Sequence, residues 1–228
     1  SAYGTTANQS AIGNLVEDLA VGSALYNQAL LLTTGQAATA FETLTGEQYP
    51  AYLGGMIETA EMLGRQIRPA AGRGDGAFVW GNGLVGSVDG SAAGYRDAEI
   101  SSTGVAAGFG YQQGGLTGSL GVGKVWHDAD ALGVSDADTM VLAGRVEWRQ
   151  PRGLVVAAGI QKGWSDATVS RQASLGTIND SLTGDLDGDY TQFYGEIGYD
   201  LVSDSVSFGP FAGLSSVNVE GDDLTETG

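Results

Sequence analysis

The chain has 228 residues, with 38 glycines, 4 prolines, no cysteine and a formal charge of −17. Without cysteine there is no disulfide scaffold and no thiolate zinc site. Without a basic patch nothing displaces counterions from phosphates, which excludes a nucleic-acid partner.

Glycine at this frequency, with no collagen period, means many tight turns and close backbone approaches. The opening Ser1-Ala2-Tyr3-Gly4 lacks the basic and apolar regions of a secretory signal, so an exported protein is expected to start upstream. Residues 19–41 carry no charge, but Ser23, Asn27, Gln28, Thr33, Thr34 and Gln36 make them too polar for a transmembrane helix.

Helical periodicity gives way to strand periodicity near Pro69. Thr5 or Thr6 caps a first predicted helix with the stripe Ile12, Leu15, Val16 and Leu19. Gly22-Ser23 ends it, and Ser23 caps a second with Leu25, Ala29, Leu30 and Leu32. Thr34-Gly35 ends that one, and a short helix covers 36–44. Pro50 precedes the strongest pattern, 51–68, with the stripe Leu53, Met56, Ile57, Ala60, Leu63 and Ile67. Glu61 and Arg65 are spaced i,i+4, Arg65 and Arg68 occupy the last turn, and Pro69 stops it. Residues 70–76 are a linker of small residues.

From residue 77 seven strands are expected, at about 77–87, 99–112, 116–127, 139–149, 154–164, 190–201 and 206–217, with 224–228 as the start of an eighth. In the fourth, Met140, Leu142, Gly144, Val146 and Trp148 share one face, and Thr139, Val141, Ala143, Arg145, Glu147 and Arg149 the other. The fifth puts Leu154, Val156, Ala158 and Ile160 against Val155, Ala157, Gly159, Gln161 and Gly163. Three charges at consecutive inward positions would ruin a dry core. They suit a wet lumen, with the apolar face turned to lipid.

The short connections 113–115, 151–153 and 203–205 alternate with the long ones 88–98, 128–138 and 166–188. That is the pattern of short periplasmic turns and long extracellular loops. The stretch 121–129 echoes 159–167, and in each a lysine, Lys124 or Lys162, precedes a tryptophan, Trp126 or Trp164, by two residues. With Trp80 and Trp148 these read as membrane-interface positions, where lysine snorkels beside a belt of indoles. The alternative is two ordinary surface lysines.

Other motifs are weaker. Gly81-Asn82-Gly83-Leu84-Val85-Gly86 matches GxGxxG but leads into a turn, so no cofactor is expected. Arg73-Gly74-Asp75 lies in the linker. The acidic run 185–189 lacks EF-hand spacing and reads as a solvated loop, so no metal is expected. His127 beside Asp128 suggests a base, but no nucleophile motif accompanies it, and no catalytic residue is assigned. Arg145, Glu147, Arg149, Gln192 and Glu196 read as a pore-lining network, met by Glu58, Glu61, Arg65 and Arg68 from the last helix.

Taken in order, several stretches resemble the β-domain of type V autotransporters: 40–49 (AFETLTGEQY), the helix 51–68, Trp80-Gly81 with Gly83 and Asp89-Gly90, 194–199 (YGEIGY) and 209–214 (GPFAGL). The resemblance implies a mainly β fold. It would be an antiparallel up-and-down transmembrane β-barrel, here about seven to eight strands of twelve, preceded by a helical segment threading the pore. The domains implied are a passenger/barrel junction at 1–50, a pore helix and linker at 51–76, and the N-terminal part of the barrel at 77–228. Seven strands would leave an open edge, so a longer chain or a completing partner is expected.

The function implied is a translocator, not an enzyme. It would anchor in the outer membrane of a Gram-negative cell, long loops outside, and export an N-terminal passenger. Its partners would be membrane lipid, the passenger and the barrel-assembly machinery. The alternatives are the barrel anchor of a surface adhesin or structural assembly without passenger release, and an acidic soluble β-protein with a helical cap. No Asn-Asn pair occurs, where some relatives cleave the passenger.

Overall fold

The structure, a computed structural model, describes residues 7–46, 48–66, 74–90, 98–129, 133–150, 153–199, 201–203, 206–222 and 225–228. Four helices come first: α1 (Ala7–Glu17), α2 (Ala24–Leu30), α3 (Thr34–Leu44) and α4 (Gln48–Gln66). Ser23 caps α2 by accepting from the Tyr26 N–H, at 3.3 Å. Thr33 caps α3 in a reciprocal box with Gln36. Thr34 and Gly35 are therefore the first residues of α3, not the break expected from their composition. Pro50 sits in the first turn of α4, where its missing N–H costs nothing.

The strands are β1 (Gly76–Gly90), β2 (Ala98–Gln113), β3 (Leu116–Ala129), β4 (Val134–Arg149), β5 (Leu154–Leu175), β6 (Ile178–Asp185), β7 (Gly188–Tyr199), β8 (Leu201–Ser203), β9 (Val206–Phe208) and β10 (Phe211–Gly221). One antiparallel sheet runs β1-β2-β3-β4-β5-β7-β10, with β6 folded back on β5, and β8 pairs β9 separately. Along that path the strands follow one another in chain order, the up-and-down arrangement. One end of the sheet carries the tight turns at Gly114-Gly115 and 150–153; we call it the turn rim. The other carries the β5–β6 hairpin; we call it the hairpin rim.

Three expectations are corrected. The long connection 166–188 is not a loop: β5 continues for 22 residues and returns as β6. Its residues carry the same alternation as the rest of β5. The sixth turn is drawn out by the small β8–β9 hairpin. Residues 225–228 are no strand; Thr227 forms a single bridge to Thr183, both N–H groups donating across, at 2.9 and 3.0 Å.

The main core lies between α4 and the concave face. Tyr52, Met56, Ala60 and Leu63 pack against Trp80, Leu84, Ile100, Val125, Val141 and Tyr190. The buried line on α4 is rotated from the expected stripe: Ile57 is exposed, while Gly55, Thr59 and Gly64 are buried. The reason is distance. A Cβ at Gly64 would stand 2.7 Å from Gln192 Oε1, and one at Gly55 would overlap Ile100. Small residues let the helix lie against the wall, so they set the buried side, not the larger Ile57. Ile67 lies outside the described residues. A second cluster holds Ala37, Ala40 and Phe41 of α3 on Leu175 at the hairpin tip, with Ile12 and Val16 of α1 around it. Leu15, expected in that stripe, is exposed.

Inside the sheet, aromatic rings lie flat on glycines of neighbouring strands. Trp80 covers Gly108 and Gly121, Phe78 covers Gly110, Tyr194 covers Gly159 and Tyr190 covers Gly163. A methyl group at Gly121 would occupy the space of the Trp80 ring. Gly121→Ala is expected to destabilise by about 1–3 kcal/mol through overpacking. In a Trp80→Ala background that cost should fall by more than half. Urea unfolding of the four variants checks the coupling; additive costs would mean the ring does not seat on that glycine.

Candidate functional site

The two faces of the sheet are chemically different. Outward on β4 are Met140, Leu142, Val146 and Trp148, all exposed; inward are Thr139, Val141, Ala143 and Arg145, all buried. On β5, Val156 and Ile160 are exposed outward while Ala157 and Gln161 are buried inward. Val79, Val105, Phe109, Leu120, Phe193 and Leu214 extend the exposed apolar face across the other strands.

Aromatic residues frame that face in two lines. Trp126 on β3 is opposite Asp138, and Trp164 on β5 is opposite Met140, so the two indoles differ by one register row over two strands. On the turn-rim side Tyr111, Trp148 and Tyr199 step the same way, one row per two strands. With a strand tilt of ~40° and strands ~4.8 Å apart, staying level requires a step of ~4 Å along the strand, or about one residue, per strand. Each line is therefore level in a tilted barrel. On β4 the upper line falls beside Thr139, about nine residues from Trp148. At that tilt the separation is ~23 Å, close to the ~25 Å apolar band of outer-membrane barrels.

The lysines belong to the upper line. Lys124 pairs with Asp138 at 3.0 Å, and its ammonium lies 5.9 Å from the Trp126 ring. Lys162 pairs with Asp189, which is opposite Trp164. Lysine, tryptophan two residues on, and aspartate opposite that tryptophan recur as one device. The internal sequence repeat supplied two parts of it. The aspartates come from neighbouring strands and were not found.

Trp80 is a correction. It was expected at the interface, but it is 7% exposed and points inward. Gly108 and Gly121 leave a bed for the indole inside, and its neighbours Val79 and Gly81 take the outward positions.

The charges of β4 and β7 meet on the inward face. Arg145, 7% exposed, donates through Nη2 to Glu147 at 3.1 Å and Glu196 at 2.9 Å. Arg149 reaches the other oxygen of Glu147 at 3.1 Å. The Arg145 guanidinium also lies 5.7 Å from the Tyr194 ring. Gln192 accepts from Gln161, which also donates to the Ala60 carbonyl of α4. Glu61 and Arg65, expected to face the cluster, share a cleft with Glu196 but bond elsewhere. Glu61 accepts from Ser215 on β10 at 2.6 Å, and Arg65 donates to the Glu61 carbonyl on its own helix. Arg68 and the Glu58 side chain lie outside the described residues.

Nearer the hairpin rim is a polar chain missed in the sequence. Tyr52 on α4 donates to Ser165 Oγ at 3.0 Å, and Thr139 donates to the same oxygen at 3.1 Å. Ser165 donates in turn to the Asp138 carbonyl at 3.3 Å. With the Thr139 proton so used, His127 Nε2 donates to Thr139 at 2.8 Å, and Nδ1 is bonded to the Ser102 hydroxyl at 2.9 Å. Asp128 is not its partner: adjacent strand residues face opposite ways, and Asp128 is exposed.

At the hairpin rim Arg171 binds both oxygens of Glu226 at 2.7 Å and the Thr43 carbonyl of α3 at 2.7 Å. Tyr49 also donates to Glu226. The Arg171 guanidinium holds the Glu226 carboxyl below the usual range. In the acidic run Asp187 is shifted upward by burial, then by Asp166, Asp185 and Asp222. Among the described residues no three His, Cys, Asp or Glu side chains are grouped to hold a metal. The GxGxxG stretch lies within β1, and of the Arg-Gly-Asp triplet Arg73 is outside the described residues, while Asp75 accepts from the Gly114 N–H at 3.1 Å.

A tilted up-and-down sheet, apolar outside, charged within and wrapped on a helix, is the architecture of an outer-membrane β-barrel domain. Residues 79–228 match the family Autotransporter beta-domain, and the chain belongs to that family. Its role is that of a translocator and outer-membrane anchor of Gram-negative bacteria rather than a catalytic domain. A comparison with curated proteins finds no match.

Arg145→Met leaves two inward carboxylates short of a cation and should cost about 3–5 kcal/mol, as breaking a buried pair does; the urea midpoint measures it. The Glu226 contact is expected to depend on pH. A carboxyl whose folded value is depressed adds stability above its unfolded value, about 4.3, and loses it as pH falls through the folded one. Hydrogen exchange at 42–45 and 225–228, corrected for intrinsic rates, should rise in acid. Glu226→Gln should already show that rise at neutral pH.

Proposed function

We propose that this domain anchors in the outer membrane and carries its own N-terminal passenger to the cell surface, with α4 as the segment of chain left in the pore. The observation that carries the reading is the path of α4. Its N-terminal half contacts Ser165 through Tyr52, its middle contacts Gln161 through the Ala60 carbonyl, and Glu61 reaches Ser215 nearer the turn rim. The chain thus runs from the hairpin rim down the interior, and β1 starts at the turn rim beside Gly114. α1 itself lies on the hairpin side, packed around Leu175.

In this reading the hairpin rim faces outside the cell and the turn rim the periplasm. The exposed apolar face between the two aromatic lines meets lipid, and a charge-lined interior needs no such partner. Insertion by the barrel-assembly machinery is proposed with this reading, and only the family membership supports it.

The chain contains no cysteine, so single thiols report orientation cleanly. Thr177→Cys at the hairpin tip should react with a membrane-impermeant maleimide in intact cells. Gln150→Cys at the turn rim should react only after permeabilisation. The reverse pattern would refute the orientation. A passenger epitope ahead of Ala7 that stays protease-protected in intact cells would refute export.

A further inference from the structure

We infer that the outer face carries a groove for one acyl chain of a zwitterionic glycerophospholipid. The inference rests on the proposed lipid contact and goes beyond it, since a featureless apolar face would bind no particular lipid. A concavity of about 820 Å³ crosses the outer face on the turn-rim side of its middle. Phe109, Leu120, Ile160 and Phe193 lie in one register row along its side. At Gly118 and Gly144, on neighbouring strands, the surface drops to the backbone.

The volume is in the ~300–1,000 Å³ range of small-molecule sites, yet the lining is almost wholly apolar. A ligand oriented by hydrogen bonds has nothing to hold there. Within a bilayer there is also no hydrophobic gain from leaving one apolar surface for another. Retention must come from close contact, which a groove provides along the length of a methylene chain and a flat wall does not.

The position matches one leaflet. Gly118 is in register between Tyr111 and Val146, and Trp148 is one row nearer the rim. The groove therefore opens at the turn-rim aromatic line, where a headgroup lies, and ends near mid-band. The next outward row is Gln113, Leu116, Trp148, Val156, Ile197 and Ala212. Lacking lysine or arginine in a chain of charge −17, it suits a zwitterionic head rather than an anionic one.

The test uses two glycines whose added Cβ would meet nothing within 4 Å: Gly118 in the groove and Gly83 on the outer face outside it. The full chain is reconstituted in phosphatidylethanolamine vesicles, extracted in mild detergent and weighed by native mass spectrometry, with heat-resistant mobility on gels as the check of folding. Wild type and Gly83→Phe should retain one lipid, and Gly118→Phe should lose its occupancy by roughly tenfold. Gly118→Leu, a smaller change, should lose it too. Equal occupancy in folded wild type and both Gly118 variants overturns the groove. A dimer mass that disappears in Gly118→Phe would assign the face to a second copy and overturn it as well. If wild type associates with the vesicles but retains no lipid, the groove fails while the membrane reading stands. If wild type does not associate at all, both fail.

Discussion

Each strand residue must face one of two media, and the backbone between them must satisfy its own hydrogen bonds. The antiparallel ladder meets the second demand for the strands between β1 and β10, whose outer edges pair with no strand among the described residues, and strict alternation meets the first. A shift of one residue in any pairing would exchange the faces, putting Arg145 outside and Leu142 inside. The two aromatic lines make that register visible, because each holds its height across strands only if every pairing is as found.

The interior solves a different problem. A narrow sheet closing on a helix leaves little room, and glycine provides it on both sides. Glycines on the strands receive Trp80, Tyr190 and Tyr194, and glycines on α4 receive the wall. Some polar groups in that space are bonded to one another, while Thr59 Oγ1, Trp80 Nε1 and Tyr190 Oη are buried without a hydrogen-bond partner among the described residues. Arg145 gives up most of its hydration and takes two carboxylates in exchange. The chain from Tyr52 to Ser102 does the same with hydroxyls and an imidazole, joining α4 to four consecutive strands. The helix is thus held by shape in the middle and by hydrogen bonds towards the hairpin rim.

Much of this was legible because period two is a local signal. The faces of β4 and β5, the inward set from Arg145 to Glu196 and the outward Trp126, Trp148 and Trp164 followed from alternation alone. What failed depended on packing across elements. Trp80 was assigned by residue type; both faces of β1 are apolar, so alternation alone does not orient it, and the glycines of β2 and β3 decide its side. The stripe on α4 was assigned by apolarity, but distance from the wall selected its glycines. Residues 166–188 are polar enough to resemble a loop, although 166–175 keep the alternation, with Ala167, Val169 and Leu175 inward. The polar chain through His127 draws on residues from 52 to 165, beyond any sequence window.

β5 belongs to two regions at once. Its first half is paired with β4 and β7 in the sheet, and its second half carries the helical cap through Arg171, Ser174 and Leu175. A pull on the cap, directed away from the sheet, would travel along the axis of β5. The ladder bonds on both sides run perpendicular to that axis and would be loaded together in shear, not opened one after another. The attachment of the cap is therefore mechanically strong along the strand axis and weaker across it.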